Sequence, residues 1–193
     1  DTAFNGPALN GFAYVDTAIK KFMQALEQHP ERFEDTLFVF VADHTSYTFH
    51  DDLFEKIRIP LIFYTPSKRI ELTPGTEKKI ASHVDIIPSI LALLKGAHRH
   101  SGMGHNLFEH SDLAGSALSG SRYNGAYIKD GFMFQYLPYE DKNKLGAIKN
   151  TSKRTPLSAP DAEQIQKRMR QEYLAQYEMS KRLSIEKKIF PRL

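Results

Sequence analysis

Asp43 and His44 stand side by side at the end of an apolar run, Thr36-Leu-Phe-Val-Phe-Val-Ala42. A strand needs no charge at its exit, and in open α/β sheets ligands collect at the C-terminal ends of strands. A carboxylate oxygen beside an imidazole nitrogen suits zinc or manganese, whereas calcium and magnesium favour oxygen donors alone. The same dipeptide also serves as plain structure, so residue chemistry by itself leaves both readings open. A polar stretch, Thr45 to Glu55, follows and contains His50, Asp51 and Asp52. Thr45 and Ser46 carry hydroxyls but have no base at a spacing that would activate them, so they are not read as nucleophiles. In Ser82-His-Val-Asp-Ile-Ile-Pro-Ser89, Asp85 reads as a helix cap and His83 as a packing or hydrogen-bonding group. His98, His100, His105 and His110 form a histidine-rich loop, read either as metal-binding or as ordinary loop.

These residues need a scaffold. Phe12, Val15, Ile19, Phe22 and Leu26 recur at helical spacing, which predicts an amphipathic helix over 11–27, ended by Pro30. The run 36–42 is short, β-rich and apolar on both faces, as in a parallel sheet covered by helices. Ile59-Pro-Leu-Ile-Phe-Tyr64 is a second such strand, with Pro60 tolerable at its start. A helix is predicted over Ile86–Leu94, with Pro88 in its first turn and Gly96 as its stop. Residues 98–120 read as loop. Gly125–Ile128 and Phe132–Tyr136 flank Lys129-Asp-Gly131, a hairpin signal. Residues 142–159 read as a polar linker. A long basic helix is predicted within 160–193, with Ile165, Met169, Tyr173 and Tyr177 on one stripe. Alternating helices and buried strands predict a three-layer α/β/α sandwich.

Composition bounds the alternatives. With 193 residues, 41% of them hydrophobic, the chain has material for one domain with a core. The longest apolar run, Leu37–Ala42, is far short of the roughly 20 residues of a membrane-spanning helix. There is no cysteine, which excludes disulfides, cysteine–zinc sites and thiol nucleophiles. The net charge of +3 is unevenly spread: residues 1–141 carry −5 and residues 142–193 carry +8. The basic end reads first as a solvated helix face that packs through its apolar stripe. A second reading lays Lys167, Arg168, Arg170, Lys181 and Arg182 near anionic lipid. No aromatic–basic interleaving points to nucleic acid. The chain opens on Asp1, which predicts an interior piece of a longer protein.

Five segments in order carry a family resemblance: YVDTAIKKFMQAL, DTLFVFVADH, IPLIFYTP, SHVDIIPSILALL and GHNLF. Over about residues 8–137 the chain resembles the C-terminal half of the alkaline phosphatase superfamily. The branch is that of the sulfatase-like phosphoglycerol and phosphoethanolamine transferases, close to lipoteichoic-acid synthases. The resemblance implies that Asp43 and His44 bind a divalent metal, Mn or Zn, together with an acidic residue from an upstream strand. It also implies an upstream Thr or Ser nucleophile that forms a covalent phospho-enzyme. Calcium sulfatases of the superfamily carry Asp-Asn where this chain has Asp-His, so the nitrogen ligand points to phosphoryl transfer. Gly commonly follows Asp-His in the family; Thr45-Ser46 stands here. His50 lies where related transferases place a histidine near the substrate, and is the catalytic candidate; a solvated loop histidine is the alternative.

The expectation is therefore a partial alkaline-phosphatase-like domain over 1–141 that ends with the hairpin, then a linker over 142–159 and a basic helix over 160–193, acting as a metal-dependent transferase or hydrolase. A sulfatase or phosphodiesterase on the same fold, and a non-catalytic interaction module, are the alternatives. The implied partners are a phospholipid head group or a phosphorylated or sulfated glycan, and the missing N-terminal half of the domain. The parent protein is expected to be membrane-tethered, on the periplasmic or extracellular face of a bacterial membrane. Without that half, exposed apolar faces should make the chain associate.

Overall fold

The amphipathic stripe beginning at Phe12 lies on a single helix, α1 (Pro7–Glu27), in a computed structural model. The structure describes residues 7–45, 53–94, 96, 98–109, 115–120, 125–137, 143–148, 154–156 and 162–186. Ser46, His50, Asp51, Asp52 and His110 fall outside the described residues. The chain divides into two compact units: residues 1–41 with 60–73, and residues 42–59 with 74–193.

In the first unit α1 is followed by the short α2 (Pro30–Phe33), whose proline opens the helix without losing a hydrogen bond. Strands β1 (Phe38–Val41) and β2 (Leu61–Tyr64) pair antiparallel, with Phe38 opposite Tyr64 and Val41 opposite Leu61. This corrects the expectation that these strands pair in a parallel sheet. Their apolar runs left direction open, because pairing is a long-range choice. Phe38 is the buried anchor, in ring contact with Phe22, Phe33 and Tyr64. The Thr65 hydroxyl donates to the Thr36 carbonyl at 2.8 Å, tying the two strand ends. Burial on both faces is not realised within the chain: Val41, Ile62 and Tyr64 are 42%, 53% and 41% exposed, and Phe12, Val15 and Phe22 on α1 more than half.

The second unit is built on a five-stranded antiparallel meander: β3 (Ser116–Gly120), β4 (Gly125–Lys129), β5 (Phe132–Tyr136), β6 (Lys144–Ile148) and β7 (Arg154–Pro156). The β4–β5 hairpin is the one predicted. Asp130 and Gly131 take positive φ values of 51° and 76°, the left-handed pair that a tight two-residue turn demands. Three strands depart from expectation. β3 ends the segment read as loop, and β6 and β7 occupy part of the segment read as linker. Strands of three to five residues carry little periodic signal, and these gain their order from pairing.

Alternation along β4 and β5 sends residues to two faces. Tyr127 and Phe134 pack with Met169 and Tyr173 of α5 (Ala162–Ile185), the long helix predicted from the sequence. Ala126, Ile128 and Met133 pack with Phe54 of α3 (Leu53–Ile57), joined by Leu53, Ile57 and Ile80. Burying each large side chain contributes about 1.5–3 kcal/mol. A helix thus covers each face of this sheet, and α3 is held by its Phe54. A 3₁₀ turn (His83–Asp85) leads into α4 (Ile86–Leu93).

Candidate functional site

The turn after β1 carries both predicted ligands. Asp43 and His44 are exposed, with side chains 86% and 62% accessible. The Asp43 carboxylate accepts the His44 backbone N–H through Oδ1 at 2.9 Å, which holds the two side chains on one side of the turn. Asp43 Oδ2 and His44 Nε2 then lie 3.4 Å apart. The other ring nitrogen, Nδ1, lies 2.9 Å from the Thr45 carbonyl. A carbonyl only accepts, so this bond puts the proton on Nδ1 and the lone pair on Nε2.

That geometry fits a cation. Two donors each 2.0–2.2 Å from one tetrahedral metal stand roughly 3.3–3.6 Å apart, which matches the observed separation. A histidine ligand also characteristically gives its other N–H to a carbonyl or carboxylate. Two donors do not complete a coordination shell, and among the described residues no group of three or more His, Asp or Glu could hold a metal ion.

Both flanks of the pair are tied down. The imidazole Nε2–H of His83 donates to the carbonyl of Ala42 at 2.9 Å, one residue before Asp43. On the other side the Thr45 hydroxyl donates to the Lys56 carbonyl in the last turn of α3.

His83 is in turn held by the segment around Asp85. Asp85 is 4% exposed. Its Oδ2 accepts the Ser82 N–H at 2.8 Å and its Oδ1 accepts the His105 N–H at 2.8 Å. The fully buried Ser89 hydroxyl donates to the Asp85 carbonyl at 2.7 Å and accepts the Leu107 N–H at 3.0 Å. Asp85 stands at the N-cap position of α4, but its side chain makes no cap bond to that helix; it closes a capping box with Ser82 at the 3₁₀ turn and, with Ser89, fastens the His105–Leu107 loop. Gly104 makes this possible, since a Cβ there would run into the Val84 carbonyl. His105 serves through its backbone, with its imidazole exposed. His98 and His100 line a separate open cleft of about 250 Å³ with Pro88, Leu91, Ala92 and Gly96.

Sequence reasoning did not foresee the linking roles of Thr45 and Lys56, because the Lys56 group is a backbone carbonyl with no residue-type signature. It also missed a polar cluster beneath α5. Tyr127 Oη and Lys129 Nζ both donate to Glu172 Oε2 at 3.0 Å, and Gln176 Nε2 donates to Tyr127 Oη at 3.1 Å. Burial pushes the Glu172 pKa up, but the Lys129 and Tyr127 hydrogen bonds outweigh it and leave the carboxyl below its ordinary value. Burial, then Glu172, raises the Tyr127 hydroxyl.

The sulfatase family model matches residues 7–97, which hold the helix α1, both strands of the first unit, Asp43, His44, His83 and Asp85. No curated protein matches the sequence. Among solved structures, a protein in the alkaline phosphatase superfamily from Vibrio parahaemolyticus has the same fold, with a TM-score of 0.73 at 18% identity. The alignment covers 93% of this chain and 42% of that one, so the chain spans less than half the length of this relative. The fold is thus mixed α/β of alkaline-phosphatase type.

Proposed function

We propose that this chain is the C-terminal part of a metal-dependent phosphoryl- or phosphoglycerol-type transferase or hydrolase, with Asp43 and His44 as two of its metal ligands. One observation carries the reading: His44 holds its Nδ1 proton against the Thr45 carbonyl while Nε2 stands 3.4 Å from Asp43 Oδ2. The sulfatase-model match over the segment containing this pair supports ester transfer or hydrolysis as the class of chemistry. The mixed donor set favours Mn or Zn over an oxygen-loving cation.

When bound, such a metal would lower the pKa of a hydroxyl nucleophile and neutralise charge on the transferring group. The role of this chain's residues is narrower. Asp43 supplies negative charge and an oxygen donor. His44 supplies a neutral nitrogen donor whose tautomer is set by its neighbour. His83 and Asp85 hold the turn. The remaining acidic ligand and the Thr or Ser nucleophile are assigned to an N-terminal half of the same domain. That half would cover the exposed apolar residues of α1, β1 and β2. His50 is retained as the group that contacts substrate phosphate. The substrate class is a phospholipid head group or a phosphorylated or sulfated glycan, met by a membrane-tethered parent on the periplasmic or extracellular side. No helix among the described residues is long and apolar enough to cross a membrane.

The sulfatase-model match also supports a sulfuric-ester hydrolase as the second reading. The two separate in an assay of the two-part protein against aryl phosphodiester and aryl sulfate substrates with added Mn²⁺ or Zn²⁺. The transferase reading predicts turnover of the phosphodiester, abolished in Asp43→Asn and His44→Ala. Turnover of the sulfate ester alone would favour the sulfatase. Activity untouched by both substitutions would contradict the assignment of the pair.

A further inference from the structure

We infer that Thr45 is a positioning residue for His44, and that it works by coupling the His44 ring to helix α3. The inference rests on the metal-ligand reading of the pair for its functional meaning, but not for its structural content.

Thr45 acts at two points. Its carbonyl accepts the His44 Nδ1–H at 2.9 Å. Its hydroxyl donates to the carbonyl of Lys56, eleven residues on. The Lys56 carbonyl lies in the last turn of α3, where helix carbonyls lack intrahelical partners, so the hydroxyl answers a standing demand. The helix in turn is fixed by Phe54, which is buried against Ala126, Ile128 and Met133 on the sheet. A continuous path therefore runs from the sheet core through Phe54, α3, Lys56 and Thr45 to the imidazole.

The side-chain chemistry matters at this position. A glycine offers the same carbonyl but no hydroxyl, and would leave that carbonyl free to rotate with the turn. The hydroxyl converts a local contact into an anchored one. Its consequence is a ring whose protonated nitrogen, and hence whose donor nitrogen, is chosen before any ligand arrives. Partners of this kind around a metal ligand are worth about 10–100-fold in metal affinity.

The test uses the whole chain with ¹⁵N-labelled histidine, in metal-free buffer at a pH where the imidazoles are neutral. Ring-nitrogen shifts assigned to His44 report its tautomer directly. The wild type and Thr45→Ser, which keeps the hydroxyl, should show the Nδ1–H form. Thr45→Val, of the same shape without the hydroxyl, should shift His44 toward the Nε2–H form while the other histidines stay put. Persistence of the Nδ1–H form in Thr45→Val, or an Nε2–H form in the wild type, overturns the inference. Unfolding curves on the same samples check that Thr45→Val is folded, and Thr45→Ser carries the comparison if it is not: loss of the Nδ1–H form there also overturns it. Zinc titration of the two-part protein, this chain with its N-terminal half, then adds the functional arm. Binding should weaken about 10–100-fold in Thr45→Val and little in Thr45→Ser. Should the wild type show the Nδ1–H form yet bind no zinc, the positioning role stands and the metal reading falls.

Discussion

His83 donates its Nε2–H to the carbonyl of Ala42 at 2.9 Å, across a sequence gap of 41 residues. The bond fixes the backbone one residue before Asp43, so the imidazole acts on the candidate ligand through the main chain. Replacing His83 with Ala should weaken Mn²⁺ or Zn²⁺ binding about tenfold, with Gln, which keeps an N–H donor, recovering part of it. Calorimetric titration measures both. Equal affinity in wild type and His83→Ala would show that the bond has no bearing on the pair.

Asp85 should matter for stability more than for chemistry. Its buried carboxylate accepts backbone N–H groups from Ser82 and His105. Asp85→Ala would orphan both, at about 1–3 kcal/mol for each buried group left unpaired. Urea unfolding checks this; a change under 0.5 kcal/mol, a threshold set by ordinary surface substitutions, would contradict it.

Glu172 sets a pH dependence whose sign follows from its partners. Tyr127 and Lys129 on β4 and Arg168 on α5 face it, and its carboxyl lies below the ordinary value of 4.5. A depressed carboxyl stabilises the fold fully above that value and loses the contribution as pH falls through the folded-state pKa. Thermal unfolding of Glu172→Gln should therefore lose less stability than the wild type between neutral pH and the region below 4.5. Parallel curves for the two proteins would contradict the assignment.

Gly125 tests the packing of α5. A Cβ there would strike the ring of Tyr173, which is 2% exposed. Gly125→Ala should destabilise the fold by about 1–3 kcal/mol through overpacking. Adding Tyr173→Phe, which removes the nearest atom, should recover part of the loss. A neutral Gly125→Ala would mean that α5 is not seated on the sheet as described.

Legibility in the sequence followed the range of the forces involved. The α1 stripe from Phe12 to Leu26, the strands at Phe38 and Leu61 and the turn at Asp130-Gly131 depend on neighbours a few residues apart, and each was readable. The antiparallel pairing of Phe38 with Tyr64 was not, because apolar runs do not encode direction. Strands β6 and β7 were hidden because they are short and their order comes from β5 and from each other. At the candidate site, Asp43, His44 and Asp85 stand out by residue type and position. The bonds that organise them, Thr45 to Lys56 and His83 to Ala42, end on backbone carbonyls, which every residue has.

The central claim is that Asp43 and His44 bind a divalent metal together. Equilibrium dialysis of the two-part protein, this chain with its N-terminal half, against Zn²⁺ and Mn²⁺, with metal quantified by mass spectrometry, tests it most directly. The account predicts one saturable ion per wild-type chain, lost in Asp43→Asn and in His44→Ala alike. Binding that survives both substitutions, or no saturable binding in the wild type, would contradict it.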